Sequence, residues 1–196
     1  MKAPTPPTLR GRHIILEPLE ETHAKELWPA ADEPSLWEFM THDVRKPADL
    51  SAWIRLRTAA RTAGTALPFL IRTTDGQAVG STSIFDISPN RTMEVGHTWI
   101  GASVRRTAVN TECKRLVLDH CFGALAAIRV QLKCDERNLP SRRAIERLGA
   151  TYEGTIRNQM ALADGHLRQA RVYSIVAAEW PTVRDRLDSA LALHGP

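Results

Sequence analysis

Residues 128–135 set Ile128, Val130, Leu132 and Cys134 in strict alternation with Arg129, Gln131, Lys133 and Asp135. A two-residue period of this kind is a half-buried strand. On both sides of it the period changes. Cys113, Leu116, Val117, Cys121 and Leu125 fall at helical spacing within Asn110–Leu125, and Ala144, Ile145 and Leu148 form an apolar stripe after it. Asn138 reads as the N-cap of that second helix, Pro140 is tolerated in its first turn, and Gly149 ends it. Met93–Ile100 reads as a strand before the first helix. Strand, helix and strand in succession imply a parallel pair joined by a right-handed crossover, hence a mixed sheet covered by helices.

The flanking segments extend this sheet. His13 to Pro18 reads as a first strand, followed by a short helix from Thr22 through Trp28. Residues 29–48, broken by Pro29, Pro34 and Pro47, read as irregular, and Asp49 to Thr62 as a helix. Leu67–Thr73 and Gln77–Ile87 form a hairpin at Asp75-Gly76, and with Met93–Ile100 make an antiparallel meander. Tyr152–Leu162 and Arg168–Ala178 form another hairpin at Asp164-Gly165, and a last helix runs from about Pro181 to Leu193. The fold class is α/β (α+β), a mostly antiparallel twisted sheet with a central parallel pair.

A chain of 196 residues predicts one domain over 1–196, with a flexible tail at 1–8 and a helical extension at 179–196. No apolar run is long enough to span a bilayer. The opening residues carry no apolar leader, so a cytoplasmic protein is expected. Cys113, Cys121 and Cys134 have no CxxC spacing and read as reduced, buried thiols with no zinc pattern. Basic residues crowd the middle: Arg105, Arg106, Lys114, Arg115, Arg129, Lys133, Arg137, Arg142, Arg143 and Arg147. Such a field suits nucleic acid, a small phosphorylated ligand or plain solvation. Few aromatic residues interleave with the arginines, which counts against nucleic acid.

The stretch from Glu94 through Trp99, Ile100 and Arg105 to Glu112 carries a strand end, a basic turn and a helix start. Free N–H groups and the helix dipole make such a start an anion site. Here the sequence resembles the acyl-CoA signature of the GNAT superfamily of N-acetyltransferases, within its RimL/RimJ-like group. The superfamily turn Q/R-x-x-G-x-G/A stands as Arg105-Arg106-Thr107-Ala108-Val109-Asn110, with Ala108 and Asn110 in the glycine positions. The segment Thr8–Leu19, the run Asn138-Leu139-Pro140-Ser141 followed by Gly149-Ala150, and the close Val172-Tyr173-Ser174-Ile175…Glu179-Trp180-Pro181 are similar to the same group.

The resemblance implies a GNAT fold and transfer of an acetyl group from acetyl-CoA to a primary amine, a protein N-terminus or small amine, by direct attack in a ternary complex. It assigns the pyrophosphate to N–H groups of Arg105, Arg106, Thr107, Ala108, Val109, Asn110 and Thr111. Trp99 and Ile100 would meet the pantetheine arm, with Asn138 along it and Arg142 or Arg143 toward the adenosine phosphate. Glu94 is the candidate base, or a carboxylate that attracts the cationic amine. Strand parity puts it on one face with Thr98 and Ile100, and His97 on the other with Val95 and Trp99. Ile145 stands where many members carry an acidic tyrosine. Ser141 is the remaining group for the leaving sulfur, or a helix cap. Glu112 reads as a carboxylate at a helix start. The acceptor would lie between residues 29–48 and the Asp164-Gly165 hairpin, beside Trp28, Trp37, Phe39 and His42. RimL-like proteins often dimerise, so a homodimer is expected. The lost glycines and tyrosine keep open a catalytically silent acyl-CoA-binding module.

Overall fold

The computed structural model describes residues 6–162 and 164–194. Of the expected tail at 1–8, residues 1–5 lie outside the described residues, and Pro6 is buried. The elements are β1 (Leu9–Arg10), β2 (Ile14–Pro18), α1 (Ala24–Ala31), α2 (Pro47–Thr62), β3 (Ala66–Thr73), β4 (Ala78–Phe85), β5 (Thr92–Ile100), α3 (Ala108–Phe122), β6 (Arg129–Asp135), α4 (Leu139–Leu148), β7 (Thr151–Ala161), β8 (Leu167–Val176) and α5 (Trp180–Ala192). One sheet runs β1-β2-β3-β4-β5-β6-β8-β7. Each neighbouring pair is antiparallel except β5–β6, which is parallel as the strand–helix–strand order requires.

Two apolar cores lie on the two faces. The larger one joins β-sheet residues such as Phe69, Ile84, Val95 and Leu132 to Val117 of α3, Ile145 of α4 and Leu187 of α5. The smaller gathers Leu27 of α1, Trp53 and Ile54 of α2, Trp37, Leu70 and Trp99. In the latter Trp37, Trp53 and Trp99 meet ring to ring, with centroids 5.4–6.1 Å apart. Trp37 also donates from Nε1 to the Ala31 carbonyl at 3.0 Å. This cluster ties the irregular 29–48 segment to the sheet.

Three local departures have physical causes. α1 continues through Pro29, read from sequence as a break, because burial of Leu27 and Ala31 outweighs one lost donor near the helix end. α3 begins at Ala108, two residues before the expected Asn110, because the Thr107 hydroxyl accepts from Val109 N–H and caps it. β1 adds a short strand ahead of β2, held by a carboxylate. The Oε atoms of Glu112 accept from the N–H groups of Arg12, His13 and Ile14 at 2.7–2.8 Å. Gly11 makes this approach possible, since a Cβ there would lie 2.4 Å from the Glu112 carboxyl carbon.

Lys114 of α3 is buried against the opposite side of β5. Its Nζ bonds Thr98 Oγ1 at 2.6 Å, and Thr98 also bonds Thr82 at 2.8 Å. Among the described residues it has no carboxylate partner, and burial pushes its ammonium pKa down. Lys114→Met is expected to stabilise the fold by about 1 kcal/mol or more, because an unpaired buried amine costs desolvation. The check is the urea midpoint, and a lower midpoint would contradict it.

Candidate active site

The site grows from the point where the parallel pair parts. β5 and β6 pair only at Thr92↔Arg129, Met93↔Val130 and Glu94↔Gln131. Beyond Glu94, β5 stays on β4 through Ile100, while β6 stays on β8 through Asp135. The two strands therefore diverge at their carboxyl ends, and each is followed by a helix start. A crevice outside the carboxyl ends of adjacent parallel strands is where open α/β sheets bind ligands. An extended chain laid into this wedge can use the backbone groups the two strands no longer offer each other.

At the foot of the wedge, on the β5 side, α3 presents first-turn N–H groups. The residue before its cap, Arg106, takes left-handed φ of 62° and is exposed, which turns the chain sharply into the helix. Ala108 is buried as the first helical residue, so the absent glycine removes no donor from the helix start. Arg105 is less free than expected: its Nη2 is held by Glu33 of the 29–48 segment at 2.8 Å. On the β6 side, Asn138 Oδ1 accepts from Ser141 N–H at 3.0 Å, so Asn138 is the cap of α4 and Ser141 is not. Burial raises the pKa of the Cys134 thiol at the end of β6. Cys113 and Cys121 are likewise buried, and burial raises both thiols. Arg143 is exposed and free to reach a bound anion.

The faces of β5 differ from the sequence expectation. His97 and Thr98 together oppose the single residue Thr82, since Ser81 pairs with Trp99 and Ser83 with Gly96. This is a β-bulge, with His97 in the left-handed region at φ 49°. One extra residue reverses parity beyond it. Glu94 therefore shares its face with His97 and Trp99, the α1–α2 side, while Thr98 turns toward Lys114 of α3. The expectation that Glu94 lies with Thr98 and Ile100, and His97 opposite, is corrected accordingly. Trp99 contributes its ring to the smaller core, so any contact with a ligand in the wedge falls to its backbone.

Glu94 is 5% exposed at the head of the wedge. It accepts from Gln131 Nε2 at 3.0 Å and pairs with Lys133 Nζ at 2.8 Å. Beside it, Arg57 of α2 donates from Nη1 to His97 Nε2 at 2.7 Å. A guanidinium only donates, so this ring is neutral and carries its proton on Nδ1. Burial, then the charge of Arg57, lowers the His97 pKa to about 3. An imidazole so depressed is a weak proton acceptor near neutrality. Unfolded chains bind a proton at this residue near its ordinary 6.5, whereas the folded chain refuses it down to about 3, so stability is intact above that window and falls as pH drops through it. His97→Gln is expected to flatten the loss of stability over that range, measured as urea midpoint against pH; an unchanged slope would contradict this.

The two segments expected to flank an acceptor meet at a groove. A groove of about 400 Å³ is lined by Pro34, Trp37, Glu38 and Asp43 of the 29–48 segment together with Asp164 of the β7–β8 hairpin. Neither this groove nor a larger one between residues 20–22 and α2 is lined by a residue of β5 or β6. Trp37 belongs to the core, Trp28 packs partly against it, and Phe39 lies under the Arg137 guanidinium at 5.4 Å. The basic field of the sequence is dispersed by folding: Arg105, Arg115, Arg129, Lys133 and Arg137 each pair with a carboxylate, and Lys114 is buried. Gln131 and Lys133 stand against Glu94, and Arg57 against His97, contacts that sequence reasoning missed. The alternation at 128–135 puts Gln131 and Lys133 on one face, but nothing local shows that Glu94 is their partner.

A GNAT acetyltransferase domain model matches residues 13–151. The chain belongs to the GNAT acetyltransferase family. It is an acetyltransferase, and acetyl-CoA is its donor substrate. Among solved structures it resembles a GCN5-related N-acetyltransferase from Brucella melitensis, at 26% identity over 96% of this chain and 87% of that one, with a TM-score of 0.88. A protein from T. thermophilus described as an acetyltransferase is 32% identical over 95% and 97% of the two chains, with a TM-score of 0.85. Mycobacterium smegmatis RimJ, solved in complex with CoA-disulfide, is 25% identical over 94% and 95%, with a TM-score of 0.81. These neighbours are consistent with a RimL/RimJ-like group. A search of curated proteins returned no match to the sequence. Among the described residues no helix is long and apolar enough to cross a membrane, and no group of three His, Cys, Asp or Glu side chains is placed to hold a metal ion.

Proposed function

We propose that the acetyl acceptor is a primary amine and that it attacks the thioester directly, with donor and acceptor bound together. The observation that carries this reading is the wedge beyond Glu94↔Gln131, where β5 and β6 part and β5 leads through a short turn into the capped start of α3. The acyl-pantetheine arm runs along the diverging edge of β5 by Trp99 and Ile100, adding hydrogen bonds as a short strand would. Ile100 N–H serves the carbonyl oxygen as negative charge develops there. The pyrophosphate rests on the N–H groups from Arg106 to Thr111, with Arg106 and Arg143 supplying charge and Arg105 anchoring the turn through Glu33.

A primary ammonium must lose its proton before attack. Glu94, at the head of the wedge, takes that proton or holds the ammonium beside the thioester while water takes it. Its bonds to Gln131 and Lys133 fix the carboxylate in place. The nitrogen then bonds to the carbonyl carbon, the intermediate collapses, and the C–S bond breaks. Ser141, in the first turn of α4 after β6, donates a hydrogen bond to the departing sulfur in this reading. Ser141→Ala is expected to lower kcat by no more than about tenfold, the scale of one hydrogen bond, with KM for acetyl-CoA little changed.

The silent-module reading keeps one observation in its favour: the buried Glu94 is already occupied by Lys133 and Gln131. The two are separated by incubating the protein with acetyl-CoA and a panel of amines. Release of the CoA thiol with an acetylated amine identified by mass supports transfer to nitrogen. Calorimetric binding of coenzyme A with no acetylated product from any amine supports the silent module.

A further inference from the structure

Resting on that acceptor reading, we infer that the inner end of the acceptor cleft is a carboxylate site, gripped by Arg57 from α2 and Arg168 from β8, and that the amine substrate carries a carboxylate of its own. Arg57 is fixed by its bond to His97 at 2.7 Å and lies 5.6 Å from the Trp53 ring centre. Arg168 is the second residue of β8, opposite Met160 of β7 and beyond the end of β6. Lys133 pairs with Val172 and Asp135 with Ala170, so Arg168, two residues before Ala170, continues the sheet face that carries Lys133 and its partner Glu94, the face on which Arg57 meets His97.

The other cations around this cleft are matched. Lys133 pairs with Glu94, Arg137 with Asp135 and Arg105 with Glu33. Among the described residues Arg57 and Arg168 have no carboxylate partner, and each keeps a buried Nε without an acceptor. Burial lowers the pKa of both. Half-burying two guanidinium groups without a counter-charge is costly, and a carboxylate supplies both the charge and the acceptors. His97 adds a buried, unpartnered Nδ1 on the same face. The acidic groups Glu38 and Asp164 stand farther out, where they act on Arg137. A bound zwitterion would place its ammonium by Glu94 and its carboxylate between the two arginines. A polyamine would bring positive charge into a cavity that already has too much.

The carboxylate can be the α-carboxylate of a small amino acid or an acidic side chain behind a peptide N-terminus. The test follows the Nε–H resonances of Arg57 and Arg168 in the full-length protein with coenzyme A, assigned by Arg57→Lys and Arg168→Lys. Succinate is expected to move both saturably, its neutral diamide neither, and each lysine variant to bind succinate about tenfold or more weakly. No saturable shift, or an equal shift with the diamide, overturns the carboxylate site. Turnover then separates the sources: serine against serinamide, and a seryl-glutamyl peptide amide against its glutaminyl twin. The charged member of one pair is expected to have the higher kcat/KM by about tenfold or more, an advantage erased through KM in Arg57→Gln and Arg168→Gln. Equal or better turnover of the neutral member in both pairs overturns the inferred substrate class. If no amine is acetylated, acetyl transfer to nitrogen fails, and the resonance titration still decides the carboxylate site.

Discussion

Glu94→Gln is expected to lower kcat/KM for the amine by about 100-fold or more, the usual worth of a positioned general base. The amide matches the carboxylate in shape but neither accepts a proton near neutrality nor attracts an ammonium. It also leaves Lys133, whose side chain is 18% exposed, without its counter-charge. The two roles open to Glu94 leave different signatures. A base is lost mainly in kcat. An anchor is lost mainly in KM for the amine. Lys133→Met separates the ion pair from the chemistry, because it keeps the carboxylate and removes only its partner. A Glu94→Gln variant with wild-type kcat/KM would exclude both roles and leave deprotonation to bulk water.

Glu112→Ala is expected to cost about 3 kcal/mol or more of folding stability, since it strands three backbone donors on a charged acceptor's site. For a chain of this size that is a fall in Tm of about 6–12 °C, read by thermal melting. The carboxylate accepts from Arg12, His13 and Ile14 at once, and so joins the first hairpin to the second turn of α3. Gly11→Ala should destabilise the same junction, because its Cβ has no room beside the Glu112 carboxyl. In the Glu112→Ala background that penalty should largely vanish, since the clash is with the side chain removed. Additive losses would show that Gly11 is required for its backbone and not for this contact.

Ala108 and Asn110 in the glycine positions are compatible with a formed helix start, because what an anion meets there is N–H groups and not side chains. The absent tyrosine is a real vacancy in the chemistry: Ile145 is buried in the larger core and offers no proton. Ser141 remains as a polar group in the first turn of α4.

Much of the fold follows from local patterns. The alternation in 128–135, the helical spacing of Cys113, Val117 and Cys121, and the caps Asn138 and Gly149 are read within a few residues, because period and capping act over one or two turns. These patterns determine the strand–helix–strand core, the parallel pair and the meander; the acyl-CoA family is legible only through the resemblance of Thr8–Leu19, Arg105–Asn110, Asn138–Ser141 and Val172–Pro181. What only the tertiary structure decided is non-local. A one-residue bulge at His97 reversed which residues share Glu94's face, and parity cannot report an insertion whose only sign is a register shift against β4. The pairing of Glu94 with Lys133, of Arg105 with Glu33, and the lack of any such partner for Arg57 and Arg168 among the described residues depend on side chains from separate elements meeting in space. Charge counted along the chain gives a basic middle; the fold pairs much of it with carboxylates and leaves Arg57 and Arg168 without one among the described residues.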